Sequence, residues 1–98
     1  MKVPENSVCS EAMEKVYGPR RKHYGHPRKN FAITAELLSG VLHAKLAPGK
    51  RIDMDDVWRI LVCVKLARDV HDPVRDNRVD IAGYAETGEL LREEDVCE

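Results

Sequence analysis

Apolar side chains recur along this chain every three to four residues, and no strand-like alternation competes with that helical period. The first such segment covers residues 7–17. Ser7 or Ser10 can cap it, Val8, Ala12, Met13 and Val16 form its apolar face, and Gly18-Pro19 ends it. Residues 18–27 read as a loop punctuated by Gly-Pro and Gly-His-Pro. Pro27 suits the first turn of the next helix, where a missing N–H costs nothing. The second helix spans residues 28–46. Phe31, Ala35, Leu38 and Leu42 form its stripe, and Ile33, Leu37 and Val41 widen it. Gly40 is a cost inside that helix unless a neighbour packs close. Ala47-Pro48-Gly49-Lys50 breaks it.

Asp53 is the expected cap of a third helix, with Asp55 and Asp56 well placed near its positive end. From Val57 the run Val-Trp-Arg-Ile-Leu-Val-Cys-Val-Lys-Leu-Ala-Arg is apolar almost all round, which predicts a central, buried helix. His71-Asp72-Pro73 ends it. Asp72 or Asp76 begins a fourth helix that turns Val79, Ala82, Gly83 and Leu90 inward, with Gly83 permitting a close helix crossing. The predicted fold is all-α, a compact four-helix arrangement with short connections. It forms one domain over residues 1–98, with a short tail at 1–6 and an acidic tail at 93–98.

Composition changes this picture in two ways. Ninety-eight residues with 43% hydrophobic, 34% charged and only five aromatic positions predict a thin, mostly aliphatic core. Oligomerisation would enlarge such a core. Net charge is −1, which gives no bulk argument for nucleic acid. The charge is unevenly placed, however. Residues 15–35 hold six Lys or Arg and no acid, whereas residues 86–98 hold six acids and one Arg. That split suits intramolecular pairing, self-complementary subunits or a ligand patch. Cys9, Cys63 and Cys97 lack Cys-x-x-Cys spacing, so neither a zinc site nor a disulfide frame is expected. Cys63 reads as a small buried hydrophobe, and the cysteine usage suits a reducing, intracellular setting. No signal-peptide pattern opens the chain, and its apolar runs are too short to span a membrane.

The candidate chemistry begins at Asp76 and Asp80, four residues apart on one helix face. Such a pair suits Mg²⁺, whose hard oxygen ligands leave room for water and substrate phosphates. The alternative is that Asp76 caps the helix and Asp80 meets a Lys or Arg. Lys65 and Arg68 lie three apart on one face of an otherwise apolar helix. They either bind phosphate or form a structural ion pair with Asp80 or Asp69, and Lys65 and Asp80 can flank one pocket. The basic loop at residues 20–30 contains His23, Tyr24, Arg28 and Asn30. It reads as an anion-binding loop with Tyr24 free to stack on a base, or as a basic loop answering the acidic tail. Glu11 and Glu14 form a Glu-x-x-Glu, a spacing also common on solvated faces. Nothing suggests a nucleophilic elbow or a phosphate-binding glycine loop.

The motifs His23-Tyr24-Gly25-His26-Pro27, Asn30-Phe31, Lys65-Leu66-Ala67-Arg68, Asp76 and Asp80-Ile81-Ala82-Gly83-Tyr84-Ala85 occur in that order. Over residues 11–92 they resemble a small helical bacteriophage domain family of mostly unknown function, often grouped with nucleotide-modification genes. More distantly, the helical layout is similar to the MazG-like nucleotide pyrophosphohydrolases. That resemblance implies a MazG-like all-α fold, Mg²⁺ held by Asp80 with Asp76 or the Glu11/Glu14 pair, and catalytic roles for Lys65 and Asp80. The wide basic loop is unlike MazG, and the expected substrate contacts are His23, Tyr24, Arg28, Asn30, Lys65, Arg68 and Tyr84. Asn77 stands where the second MazG motif carries Glu, and Asp76 is one step off. The functional expectation is a phage-type nucleotide-binding protein, homo-oligomeric and cytoplasmic in an infected bacterium, with Mg²⁺-dependent (d)NTP pyrophosphohydrolysis as its enzymatic form. The alternatives are a non-catalytic sponge that sequesters a host nucleotide signal and a structural, partner-binding helical module.

Overall fold

A computed structural model describes residues 4–19 and 26–93. Four α-helices are present there: α1 (Val8–Tyr17), α2 (Pro27–Val41), α3 (Met54–His71) and α4 (Arg75–Leu90). A single 3₁₀ turn, His43–Lys45, follows α2, and no strand occurs among the described residues. The all-α expectation therefore holds.

Local chemistry sets most helix ends. The Ser7 hydroxyl accepts from the Ser10 N–H at 3.0 Å and caps α1. Pro27 occupies the first turn of α2, and the cap before it is His26, whose Nδ1 accepts from the Arg28 N–H at 3.1 Å. Helix α2 stops at Val41, earlier than its periodicity suggests, and tightens into the 3₁₀ turn. Lys50 N–H then closes a turn on Ala47 C=O at 3.0 Å, with Pro48 at its second position and Gly49 at φ 77° at its third. Asp53 and Asp56 form a reciprocal capping box on α3, with bonds of 2.8 and 3.0 Å.

The expected caps of α4 are not realised. Its cap is Val74, which offers no side-chain bond, while Asp72 closes α3 and Asp76 lies inside the first turn. The link from α3 to α4 is held instead by Asn77. This buried amide donates to Asp72 C=O at 3.0 Å and to Asp69 Oδ1 at 3.4 Å.

Helix α4 is flanked by α3 and α1, and α2 packs chiefly on α3. Helix α2 also touches α4, whereas α1 packs to any extent on α4 alone, so each helix is covered on part of its surface only. The buried hydrophobic core is Ala12, Ala35, Val57, Val79, Leu90 and Leu91. Two expectations fail for this reason. Helix α3 is buried on its inner side only, because its neighbours cover one side; Leu66 and Val70 face outward. Cys63, on that outward side, is exposed.

The close helix crossing falls at Gly88 rather than Gly83. A Cβ at Gly83 would sit 3.7 Å from Val16 Cγ2, an ordinary contact, whereas one at Gly88 would sit 2.7 Å from the Trp58 indole. That indole is pinned, since its Nε1–H donates to Asp55 Oδ1 at 3.1 Å. Gly88→Ala is expected to cost about 1–3 kcal/mol, because the ring has nowhere to move without losing that bond. Urea denaturation should show a lower midpoint at unchanged slope. A midpoint equal to the parent's would mean that the crossing is looser than this contact implies.

Candidate functional site

Helix periodicity places Asp76, Asp80 and Tyr84 along one face of α4, a turn apart from each other. Helix α1 presents Lys15 to this face, and α3 presents Lys65. Lys15 Nζ donates to Asp76 Oδ1 at 2.9 Å and to Asp80 Oδ1 at 3.2 Å. Lys65 Nζ approaches the other oxygen, Asp80 Oδ2, at 2.8 Å. Both oxygens of Asp80 are thus engaged by ammonium groups from the two flanking helices. Lys65 and Asp80 are largely buried, with side-chain exposures of 15% and 18%.

The electrostatics follow from this geometry. Burial is the largest single influence on Asp80 and pushes its pKa up. The hydrogen bonds from Lys65 and Lys15, with their charges, outweigh it and leave the carboxyl below its ordinary value. The bond to Asp76 is the largest influence on Lys15 and raises its pKa. Burial opposes this, and Asp80 adds to it.

Beside the network, an open cleft of about 560 Å³ lies between the last turns of α3 and the first turn of α4. Lys65, Arg68 and His71 line it from α3, and Asp76 and Asn77 from α4. Arg68 is exposed and has no ion-pair or hydrogen-bond partner among the described residues. An unopposed guanidinium and an imidazole, beside the Asp80-paired Lys65 ammonium, make this wall suited to an anion, with Arg68 able to bind a phosphate through two N–H groups.

The other expected site residues divide. Tyr84 shares the Asp80 face and is half-buried. Glu11 turns to Arg75, 3.5 Å away, and Glu14 is exposed, so neither joins the aspartates. Among the described residues no group of three or more His, Cys, Asp or Glu is arranged to hold a metal. The donor set available to Mg²⁺ is Asp76 and Asp80. Lys15 and Lys65 already compensate their charge, and an ion could join them only by bringing most of its ligands as water and phosphate and displacing a lysine from Asp80. Arg28 is engaged elsewhere: its Nη1 donates to Leu91 C=O at 2.8 Å and Glu93 C=O at 2.9 Å, tying α2 to the end of α4. Asn30 lies exposed beside Thr34. His23 and Tyr24 lie outside the described residues.

Three contributors escaped sequence reasoning. Lys15 stands four residues after Glu11, a spacing that reads as an ordinary helix-surface pair. His71 sits at a helix end, where a cation complements the dipole and needs no other explanation. Asn77 signalled only a departure from the MazG pattern, and its link role depends on a long-range fold.

The paired carboxylate and ammonium groups make stability depend on pH. Asp80 has a depressed pKa, so its contribution is full above the ordinary carboxylate value and is lost as pH falls through the folded value. Lys15 has a raised pKa, so its contribution is full below the ordinary lysine value and is lost as pH rises through the folded one. The network should therefore contribute evenly from about pH 5 to about pH 9. Asp80→Asn, which strands Lys65 in a largely buried place, should cost about 2 kcal/mol at neutral pH, and Lys65→Met/Asp80→Leu should recover most of it. The deficit of Asp80→Asn should shrink below pH 4 in denaturant titrations. A deficit independent of pH would remove the ion network as its cause.

Comparison with known proteins places this geometry. The family described as a domain of unknown function, DUF6378, matches residues 7–92. The Gene 55 protein of Mycobacterium phage D29 is 39% identical over 94 residues, covering 92% of this chain. The chain spans 56% of that relative's length. No solved structure matches. Among the described residues, no helix is long and apolar enough to cross a membrane. The family match takes in all four helices, the aspartate pair and both lysines, and by it this chain belongs to the DUF6378 family of domains of unknown function.

Proposed function

We propose that this is a phage-type protein that binds a nucleotide, or a related phosphate-bearing small molecule, in the cleft between α3 and α4. The observation that carries this reading is the unopposed Arg68 guanidinium standing beside Lys65 and His71 on one wall of an open cleft. A phosphate there gains charge-assisted hydrogen bonds without first breaking an ion pair of Arg68. Asp76 on the facing wall offers an acceptor to the rest of the ligand. The setting of this reading is the cytoplasm of an infected bacterium, with the protein acting as a homo-oligomer.

The enzymatic form is a MazG-like, Mg²⁺-dependent pyrophosphohydrolase. There Asp76 and Asp80 would hold an ion arriving with the phosphates, and that ion would supply Lewis-acid polarisation. Lys65 and Arg68 would then stabilise the charge developing on the phosphate oxygens. The double engagement of Asp80 by Lys15 and Lys65 favours the second reading, a non-catalytic sponge for a nucleotide signal, because a carboxylate with both oxygens on ammonium groups is a poor metal ligand until one lysine leaves.

Calorimetry on the native chain with mono-, tri- and cyclic nucleotides, in Mg²⁺ and in EDTA, separates these readings. Binding in EDTA without pyrophosphate release supports the sponge. Release that depends on Mg²⁺ and disappears in Asp80→Asn supports the hydrolase. In either form Arg68→Ala should weaken binding about 10- to 100-fold while leaving Tm unchanged, since Arg68 is exposed and holds no structural partner. No heat and no Tm shift with any nucleotide would leave the charges a purely structural role.

A further inference from the structure

We infer that a second copy of this chain covers the outward faces of α2 and α3, giving a two-fold dimer. This deepens the homo-oligomer reading by naming its surface, and it does not depend on nucleotide binding. The observation begins on α2. Its buried residues are Ala35 and Ser39. Ile33, Leu37 and Val41 stand two residues away from these, half a helical turn round, and so point directly away from the subunit. Leu37 is 65% exposed and Val41 79%. A helix so placed is apolar on both sides, which solvent does not favour on either.

Helix α3 repeats the pattern. Its buried residue is Val57, and Leu66 lies two and a half turns on, on the opposite side. Cys63 and Val70 accompany Leu66, and Val70 is 88% exposed. Gly40 adds to the argument. It is exposed within α2, nothing lies within 4 Å of where its Cβ would stand, and it costs the helix about 1 kcal/mol relative to alanine. Nothing within the subunit accounts for it, whereas a helix approaching from outside would.

Two reasons assign the occupant. Ile33, Leu37, Val41, Leu66 and Val70 leave on the order of 600 Å² in water, close to the ~800 Å² that each partner gives to a standard interface. An apolar helix face is also stable only against another element, and among the described residues none covers these faces. A second copy is a partner that is present wherever the chain is made, and an isologous contact closes on itself without leaving a further sticky face.

Sedimentation equilibrium and thiol labelling test this. The native chain should be dimeric at micromolar concentration, and Leu37→Glu and Val70→Glu should each raise the dimer dissociation constant at least 100-fold while keeping helical circular dichroism. As a measurement that leaves the interface unaltered, Cys63 in a Cys9→Ser/Cys97→Ser background should label slowly at high protein concentration and rapidly on dilution. A native monomer overturns both this surface and the homo-oligomer reading. A native oligomer with Cys63 labelling at a concentration-independent rate, or with both glutamate variants assembling as the parent does, overturns this surface and leaves the oligomer standing. Neither result bears on the nucleotide calorimetry.

Discussion

Asp80 is the point on which the arrangement of helices turns. Its carboxylate sits on α4 between two helices that reach it from opposite sides, Lys15 from α1 and Lys65 from α3. A largely buried carboxylate with one partner would be poorly compensated for its lost hydration. With two it is held below its ordinary pKa, and it fixes where along α4 each neighbour stops. Arg75 with Glu11, and Tyr17 with Glu86, continue the polar seam between α1 and α4 on either side of this point. The seam keeps these two helices in parallel register, because each step along α1 meets a later residue of α4.

A small chain with few buried hydrophobics leans on such polar ties elsewhere. His26 is almost wholly buried. Its Nδ1 accepts from the Arg28 N–H, so Nε2 carries the proton and donates to Glu93 Oε2 at 2.9 Å. Arg28 closes the same clasp on two carbonyls at the end of α4. Ser39, also buried, exchanges hydrogen bonds with both backbone groups of Ile52 and holds the approach to α3 against α2. None of these groups is a ligand contact. Each satisfies a buried polar atom that the thin core could not otherwise accept, and no buried side-chain polar atom among the described residues lacks a partner. Arg68 stands outside this economy, because it is exposed and solvent satisfies it in the cleft.

The candidate site was partly legible from residue spacing. A spacing of four from Asp76 to Asp80 on a helix guarantees a shared face, and Lys65 with Arg68 could be read as cations needing a partner or a ligand. The structure divides them: Lys65 meets Asp80, and Arg68 remains open in the cleft. The wrong assignments share one cause. Arg28 is basic, next to a loop and in the first turn of a helix, which describes an anion contact as well as it describes a clasp on carbonyls sixty-odd residues away. Glu11 and Glu14 have the spacing of a metal pair, yet helix α1 turns Glu11 toward Arg75 and leaves Glu14 in water.

What the sequence determined by itself was local. Apolar period, caps such as Ser7 and the Asp53/Asp56 box, and breakers such as Pro48-Gly49 act through atoms a few residues apart, so helix existence and most helix ends follow from neighbours in the chain. Tertiary structure decided which face of each helix is covered. The run from Val57 to Arg68 is apolar all round and carries no signal for the side that α4 will occupy, and α2 has two apolar faces for one neighbouring helix. It also decided that Asp80 would be shared by two lysines fifty residues apart in sequence. Charge pairing across that separation depends on where helices pack, and packing is a property of the whole chain.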